Sequence, residues 1–373
     1  MDFDVFELRR LYAPDQERIR TGMTRQAAVW RGERPDQWPL LLSAPLSPAQ
    51  ERIPKPDLYQ AFCDIDLMLC SQVRGACAAA NSGSDAVPSA RGNYGTATIL
   101  ACLGLEQQVF ADKMPWLRQH LSKEQLSRLE PRDIKVQGTF GQGLEYMRRH
   151  RQVMGGLLPL YCMDTQGPLD LAHLALGDEL FYQLHDDPPF VHHLLELCLE
   201  LGIRAHEWMK EVAGEPAGHL HHGNALYAEN MGIRICEDTT AIISPAAIEE
   251  FAAPYTRRLA AHFGGAWVHY CGRNDALSEI ICRMPEVRAI NFGHIPGREH
   301  DHPFARDMQR CADTGKVYFG SWPRFPGESG AEYLRRLHGW ASQGCLVAQA
   351  DAALGAEGGF ASAAAALDFW YNL

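Results

Sequence analysis

A regular alternation of strand-like and helix-like segments in the second half of the chain narrows the fold more than any other feature. Short apolar runs at 266–271, 287–292, 316–320 and 344–350 read as strands. Helical patterns at 275–283, 302–313 and 330–342 separate them, and a last helix is expected over about 360–371. Strands that alternate with helices across short connections fold as a parallel sheet with helices packed on it. The chain has no Gly-x-Gly-x-x-Gly or phosphate-loop motif, so a doubly wound nucleotide-binding fold loses ground to a barrel. Its 373 residues fit a single (β/α)8 TIM barrel, a fold that runs from roughly 200 to over 400 residues.

The first half is less regular. Residues 5–31 read as helical with a break at Pro14, which makes 1–36 an N-terminal helical extension and 37–373 the barrel. The run WPLLLSA at 38–44 is the first strand candidate and LLPLYCM at 157–163 another. Residues 71–88 are rich in small residues and read as turns, whereas 190–209 places leucines at helical spacing. An apolar stretch at 225–235 runs into Cys236-Glu237-Asp238, and Ser244-Pro245 then opens a helix with Ile248, Phe251, Tyr255 and Leu259 on its buried face.

Charge and cysteine usage bound the partners. There are 35 basic against 46 acidic residues, a formal net charge of −11, so a phosphate backbone is repelled on average and nucleic acid is not an expected partner. The short basic run at 148–152 reads as a solvated helix face. No apolar run approaches the ~18 residues of a membrane span, and the first twenty residues lack the apolar core of a secretory signal. Eleven cysteines, an odd number without a paired framework, point to reduced thiols and a cytoplasmic location.

The strongest chemical signal is Val268-His269-Tyr270-Cys271-Gly272. On a strand, His269 and Cys271 share a face while Tyr270 points away. An imidazole and a thiolate so placed suit zinc or another borderline-soft metal. Asp351, closing the strand at 344–350, would arrive at the same end of a barrel and is the better further ligand on geometry. Cys345, with the more attractive chemistry, precedes that strand and is the alternative. Glu237 and Asp238 form an acidic pair on a strand-ending loop, suited to orienting substrate, handling a proton or, through one of the two, completing the metal site, with solvation as the alternative. The Asp164-Thr165-Gln166-Gly167-Pro168 segment reads equally as a substrate loop or a tight turn. The cluster His219-Leu220-His221-His222 reads as a loop or core-edge packing, with a second metal site as the alternative.

These residues stand in an order that resembles the uroporphyrinogen decarboxylase superfamily, which includes the corrinoid-dependent methyltransferases. The acidic pair, the Ser-Pro helix start, Pro254-Tyr255 and the His-x-Cys-Gly strand end within 232–272 carry the resemblance. It extends upstream to Asn93-Tyr94-Gly95-Thr96, to 164–170 and to Arg31-Gly32-Glu33-Arg34-Pro35-Asp36. The resemblance implies a (β/α)8 barrel with its site at the C-terminal strand ends. It also implies substrate-binding roles for Asn93, Tyr94, Asp164, Gln166 and Asn291 and catalytic roles for Glu237 and Asp238. In the thiol-directed methyltransferases of the superfamily, a His-x-Cys and a distant cysteine bind zinc, and a thiolate takes the methyl group from a corrinoid supplied by a partner protein. Here Asp351 stands at the position of the distant cysteine. The Arg-Gln-Ala-Gly-Arg segment of the true decarboxylases has no counterpart in the first hundred residues, where 43–48 reads SAPLSP. A zinc-dependent methyltransferase acting on a small substrate is therefore the leading expectation. A metal-free porphyrinogen decarboxylase and a non-catalytic cofactor-binding or accessory protein are the alternatives.

Overall fold

A computed structural model describes residues 3–293, 304–322, 324–350 and 359–373. Ten strands are present among them. They are β1 (Leu40–Leu41), β2 (Gln107–Gln108), β3 (Trp116–Leu117), β4 (His219–His222), β5 (Leu226–Glu229), β6 (Ile233–Cys236), β7 (Ala266–Cys271), β8 (Val287–Gly293), β9 (Val317–Ser321) and β10 (Leu346–Gln349). Six of them form one parallel sheet in the order β1-β10-β9-β8-β7-β6. Helices Asp275–Cys282, Phe304–Thr314 and Gly330–Ala341 connect β7 to β10 in turn, as the alternation requires.

The expected strand at 157–163 is reduced to a parallel bridge between Ala90 and Leu160, and a second bridge joins Gln166 to Cys236 beside β6. Pro88 and Pro159 lack the N–H that a longer ladder would use. The small-residue stretch read as turns is largely a helix, Ile65–Asn81, started by the Asp64 carboxylate on the N–H groups of Asp66 and Leu67. Its buried Cys70, Ala76, Cys77 and Ala79 are helix-compatible and permit close packing.

Side-chain alternation divides the sheet into two faces. Val268, Tyr270, Ile290, Phe292 and Tyr318 pack with the surrounding helices in the main core. Trp267, Ala289, Val317, Phe319, Val347 and Leu41 form the inner face, packed against Leu220, Ala225, Leu226 and Ala228 of the β4–β5 hairpin. Of the two readings of the histidine cluster, the hairpin replaces the loop and agrees with core-edge packing: His219–His222 pairs antiparallel with Leu226–Glu229, with Leu220 in the core. It covers the N-terminal end of the inner face and leaves the C-terminal strand ends for chemistry.

The helix Gln16–Trp30 straps the hairpin. Gln26 Nε2 donates to the carbonyls of Asp85 and Ala225, its Oε1 accepts from the Tyr227 N–H, and Trp30 Nε1 donates to the Tyr227 carbonyl. Asp85, fully buried, accepts from Arg18, Arg25, the Leu40 N–H and the Tyr371 hydroxyl, so one carboxylate joins both chain termini to β1. Removing it takes the carboxylate from Arg18 and from one edge of Arg25, which keeps Asp36, and leaves the buried Leu40 N–H without its acceptor. Asp85→Ala is expected to cost about 3 kcal/mol, read as a lowered urea midpoint, whereas loss of an exposed pair such as Arg148–Glu145 is expected to cost under ~1 kcal/mol. No described helix is long and apolar enough to cross a membrane.

Candidate metal centre

The register of the sheet assembles the site. Cys236 on β6 pairs with His269 on β7, and His269 pairs with Asn291 on β8. Neighbours in a parallel ladder point to the same side, so these three side chains converge where the strands end. Cys236 Sγ, an Asp238 carboxylate oxygen and a His269 ring nitrogen lie within 4.8 Å of one another.

Each donor is held. His269 Nδ1 is 2.5 Å from Asn291 Oδ1, and Asn291 Nδ2 donates to the Phe319 carbonyl at 2.7 Å. That second bond fixes the amide orientation, makes Nδ1 the protonated nitrogen and leaves His269 Nε2 with its lone pair free. Nε2 lies 3.5 Å from Cys271 Sγ, close to the ~3.6 Å edge of a tetrahedron built from zinc–nitrogen and zinc–sulfur bonds. Asp238 Oδ1 accepts the Cys271 backbone N–H at 2.6 Å, and Asp170 accepts the N–H groups of Asp238 and Thr239.

Electrostatics keep the nitrogen donor neutral and both thiols protonated. Burial, aided by the positive charge of Arg234, lowers the His269 pKa to about 4, so its ring is neutral near pH 7. Burial and then the Asp238 charge push the Cys271 thiol up to about 11, and burial holds the Cys236 thiol well above its usual range. Two thiols beside a carboxylate hold their protons until a positive charge arrives, and a divalent metal supplies that charge. A sulfur, nitrogen and oxygen donor set fits zinc.

Glu237 does not share this site. The alternation that turns Cys236 and Asp238 inward turns Glu237 outward. It is fully buried there, with Oε1 accepting from the Thr256 hydroxyl at 2.5 Å and Oε2 unpartnered. Burial, reinforced by nearby Asp170, holds its carboxyl well above the usual carboxylate range. A Cβ on Gly167 would lie 2.3 Å from Glu237 Oε1 and 2.9 Å from the Cys236 carbonyl, so only glycine lets the 164–168 segment approach β6 this closely.

The other expected positions divide. Asp164 and Gln166 are buried beside β6, with Gln166 Nε2 donating to Asp164 Oδ1 at 3.2 Å. Gln166 also lines a cavity of about 570 Å³ with Thr96, Trp116, His120, Asp170 and Asp238. Tyr94 lies in the core instead, 1% exposed and packed edge-on against Phe62 and Tyr146. Asn93 is half-buried on the same loop, its N–H against Met68 Sδ. Asn291 spends its amide on His269 and Phe319, which makes it a positioning residue. Cys345 lies at the start of β10, donating to the Trp340 carbonyl away from the cluster, and Asp351 lies outside the described residues.

Cys236, missed in the sequence, sits one residue before the acidic pair. Period-two alternation counted back from Asp238 puts it on the same face. Arg234, two residues earlier, follows by the same count.

No family model matches the chain, and no curated protein matches it. Among solved structures the chain is similar to a methyltransferase from Methanosarcina mazei, with a TM-score of 0.64 and 15% sequence identity over 94% of this chain and 98% of that one. Identity that low speaks to architecture alone: the two chains share a mixed α/β fold over nearly their whole lengths.

Proposed function

We propose that this chain is a zinc-dependent methyltransferase that passes a methyl group between a corrinoid carried by a partner protein and a small thiol. The observation that carries the reading is the convergence of Cys236, Asp238 and His269, with Cys271 at the edge of the cluster. The methyltransferase with the similar fold adds support. In this reading the segments bridged at Ala90, Leu160 and Gln166 complete an eight-stranded barrel, and the Asp85 N–H to Leu40 carbonyl bond brings that edge to β1.

Cys236, Asp238 and His269 would hold the metal and leave its fourth position to the acceptor thiol, with Cys271 at the edge of the cluster. Bound zinc lowers the pKa of a thiol, so the acceptor is presented as its nucleophilic thiolate near pH 7. The chain's own residues supply position. Asn291 fixes the His269 tautomer, and Asp170 fixes the turn that carries Asp238. The cavity between Trp116, His120 and Gln166 gives an acceptor a place beside Asp238.

The test is a spectroscopic assay. Reduced, zinc-loaded protein is mixed with methylcobalamin and 2-mercaptoethanol, and demethylation is followed by visible absorbance. The expected result is a rate that requires zinc and falls by ~100-fold or more in His269→Ala, the loss expected when a reacting thiolate is no longer activated. A rate that is the same with and without protein overturns the reading.

A further inference from the structure

Beside the metal cluster the chain holds two half-buried positive charges without an ion pair. Among the described residues neither Arg91 nor Arg234 has a carboxylate within salt-bridge distance. Arg234 Nη1 donates to the Thr165 hydroxyl and its guanidinium lies over the Trp267 ring at 5.3 Å. Arg91 Nη1 donates to the Met163 carbonyl and its guanidinium lies 5.8 Å from the centre of the Tyr161 ring. His222 joins the two halves, with its ring 4.9 Å from Tyr161 and 5.0 Å from Trp267.

This cluster contains four buried polar atoms without partners: Arg234 Nε, Trp267 Nε1, His222 Nδ1 and Asp164 Oδ2. Such atoms are rare in folded proteins, because each costs about 1–3 kcal/mol when it has no partner. Two of the four, Arg234 Nε and Trp267 Nε1, are obligate donors, which suits an acceptor ligand. Asp164 is a buried carboxyl close enough to feel the charge of both arginines. Its burial pushes the carboxyl up to about 7 despite both arginines, so the cluster keeps a net positive charge near neutrality. Both arginines retain partial solvent exposure, so the cluster is not sealed.

We propose that Arg234 and Arg91 form the carboxylate subsite of a short organic acid whose other end reaches the Cys236–Asp238–His269 cluster. Because Nη1 is held by Thr165, the Nε edge of Arg234 is the free one, and a guanidinium edge matches a planar carboxylate in a two-bond fork. Arg234 and Cys236 are two residues apart on β6, about 6.6 Å along the strand, which limits the acid to a chain of a few carbons. The assignment rests on the metal-centre reading for the identity of the reacting end, while the subsite itself stands on the arginines.

The experiment uses metal-free wild-type protein, with propanoate as the probe and propanamide as its uncharged isostere. Calorimetric titration is expected to show propanoate binding at least tenfold more tightly than propanamide, and Arg234→Gln is expected to remove that preference. Phenylglyoxal modification followed by mass spectrometry reads the same site without a variant, with propanoate protecting Arg234 and propanamide leaving it reactive. Equal binding of the two probes, or full propanoate affinity in a folded Arg234→Gln protein, overturns the subsite. Zinc content, measured in parallel, keeps the two proposals apart. Zinc retained in Arg234→Gln with propanoate binding lost supports the subsite. Wild-type protein that binds propanoate but no zinc overturns the methyltransferase reading and leaves the subsite standing.

Discussion

Replacing His269 with alanine is expected to weaken zinc binding by about 100- to 1000-fold. Structural zinc sites hold the ion by roughly 10–16 kcal/mol, so one ligand of four accounts for about 3–4 kcal/mol, at about 1.4 kcal/mol per tenfold. Cys236→Ser is expected to fall in the same range, because Cys236 is one of the three side chains whose donor atoms converge. Asn291→Ala should cost less, about 10- to 100-fold, since it removes the acceptor that orients the imidazole and leaves all donors in place. Cys345→Ser should cost nothing, because that thiol donates to the Trp340 carbonyl elsewhere. Competition against a chromophoric chelator on reduced protein gives all four affinities on one scale. Wild-type affinity in both His269→Ala and Cys236→Ser would place the metal elsewhere. A loss in His269→Ala alone would return weight to a set built from His269, Cys271 and Asp351.

That gradation reflects how much of the site was legible in the sequence. The β7 run AWVHYC is apolar or aromatic at every position but one, and its bounds follow from composition. Its two-residue period places His269 beside Cys271 without any knowledge of the fold. The same rule applied to β6 puts Cys236 with Asp238 and sends Glu237 to the far face, yet adjacent acids read as a pair because their chemistry is alike. The boundary between β5 and β6 was hidden inside one apolar stretch. Asn230, with φ of 58°, makes the turn there, and asparagine is the residue that tolerates that conformation after glycine. The loop reading of the histidine cluster rests on alternating imidazoles that look polar, although Leu220 faces the inner core and Tyr227 stacks edge-on against His219. Arg91, Asp164 and Arg234 were not legible as a group at all. They lie on three segments 70 or more residues apart, and only the packing of the 157–166 region beside β6 brings them together.

Among the described glycines, Gly232→Ala is expected to be the most damaging addition of a single methyl group. A Cβ at that position would sit 1.8 Å from the Ala217 carbonyl oxygen and 2.4 Å from that of Phe263, and both obstacles are backbone. The Gly232 N–H donates to the carbonyls of Phe263 and Gly265, so the segment cannot retreat without breaking those bonds. Overpacking at about 1–3 kcal/mol, together with about 1 kcal/mol for each hydrogen bond displaced, puts the cost near 4 kcal/mol. Gly218→Ala is the control: it lies one residue from Ala217, accepts the Met231 N–H through its carbonyl, and a Cβ there meets nothing within 4 Å. Its expected cost is under ~1 kcal/mol. Urea titration of the two variants should therefore separate widely, although both change the same short crossing. The consequence reaches the chemistry, because Gly232 is the residue from which β6 departs. Arg234, Cys236 and Asp238 follow it at two-residue steps on one face, so a shift of a few tenths of an ångström at Gly232 moves all three together. A folded Gly232→Ala protein, rescued at low temperature, should then bind zinc measurably more weakly than Gly218→Ala. Equal stability and equal zinc affinity in the two variants would mean that the crossing of 217–218, 230–232 and 263–265 is looser than the close packing described and does not set the position of β6.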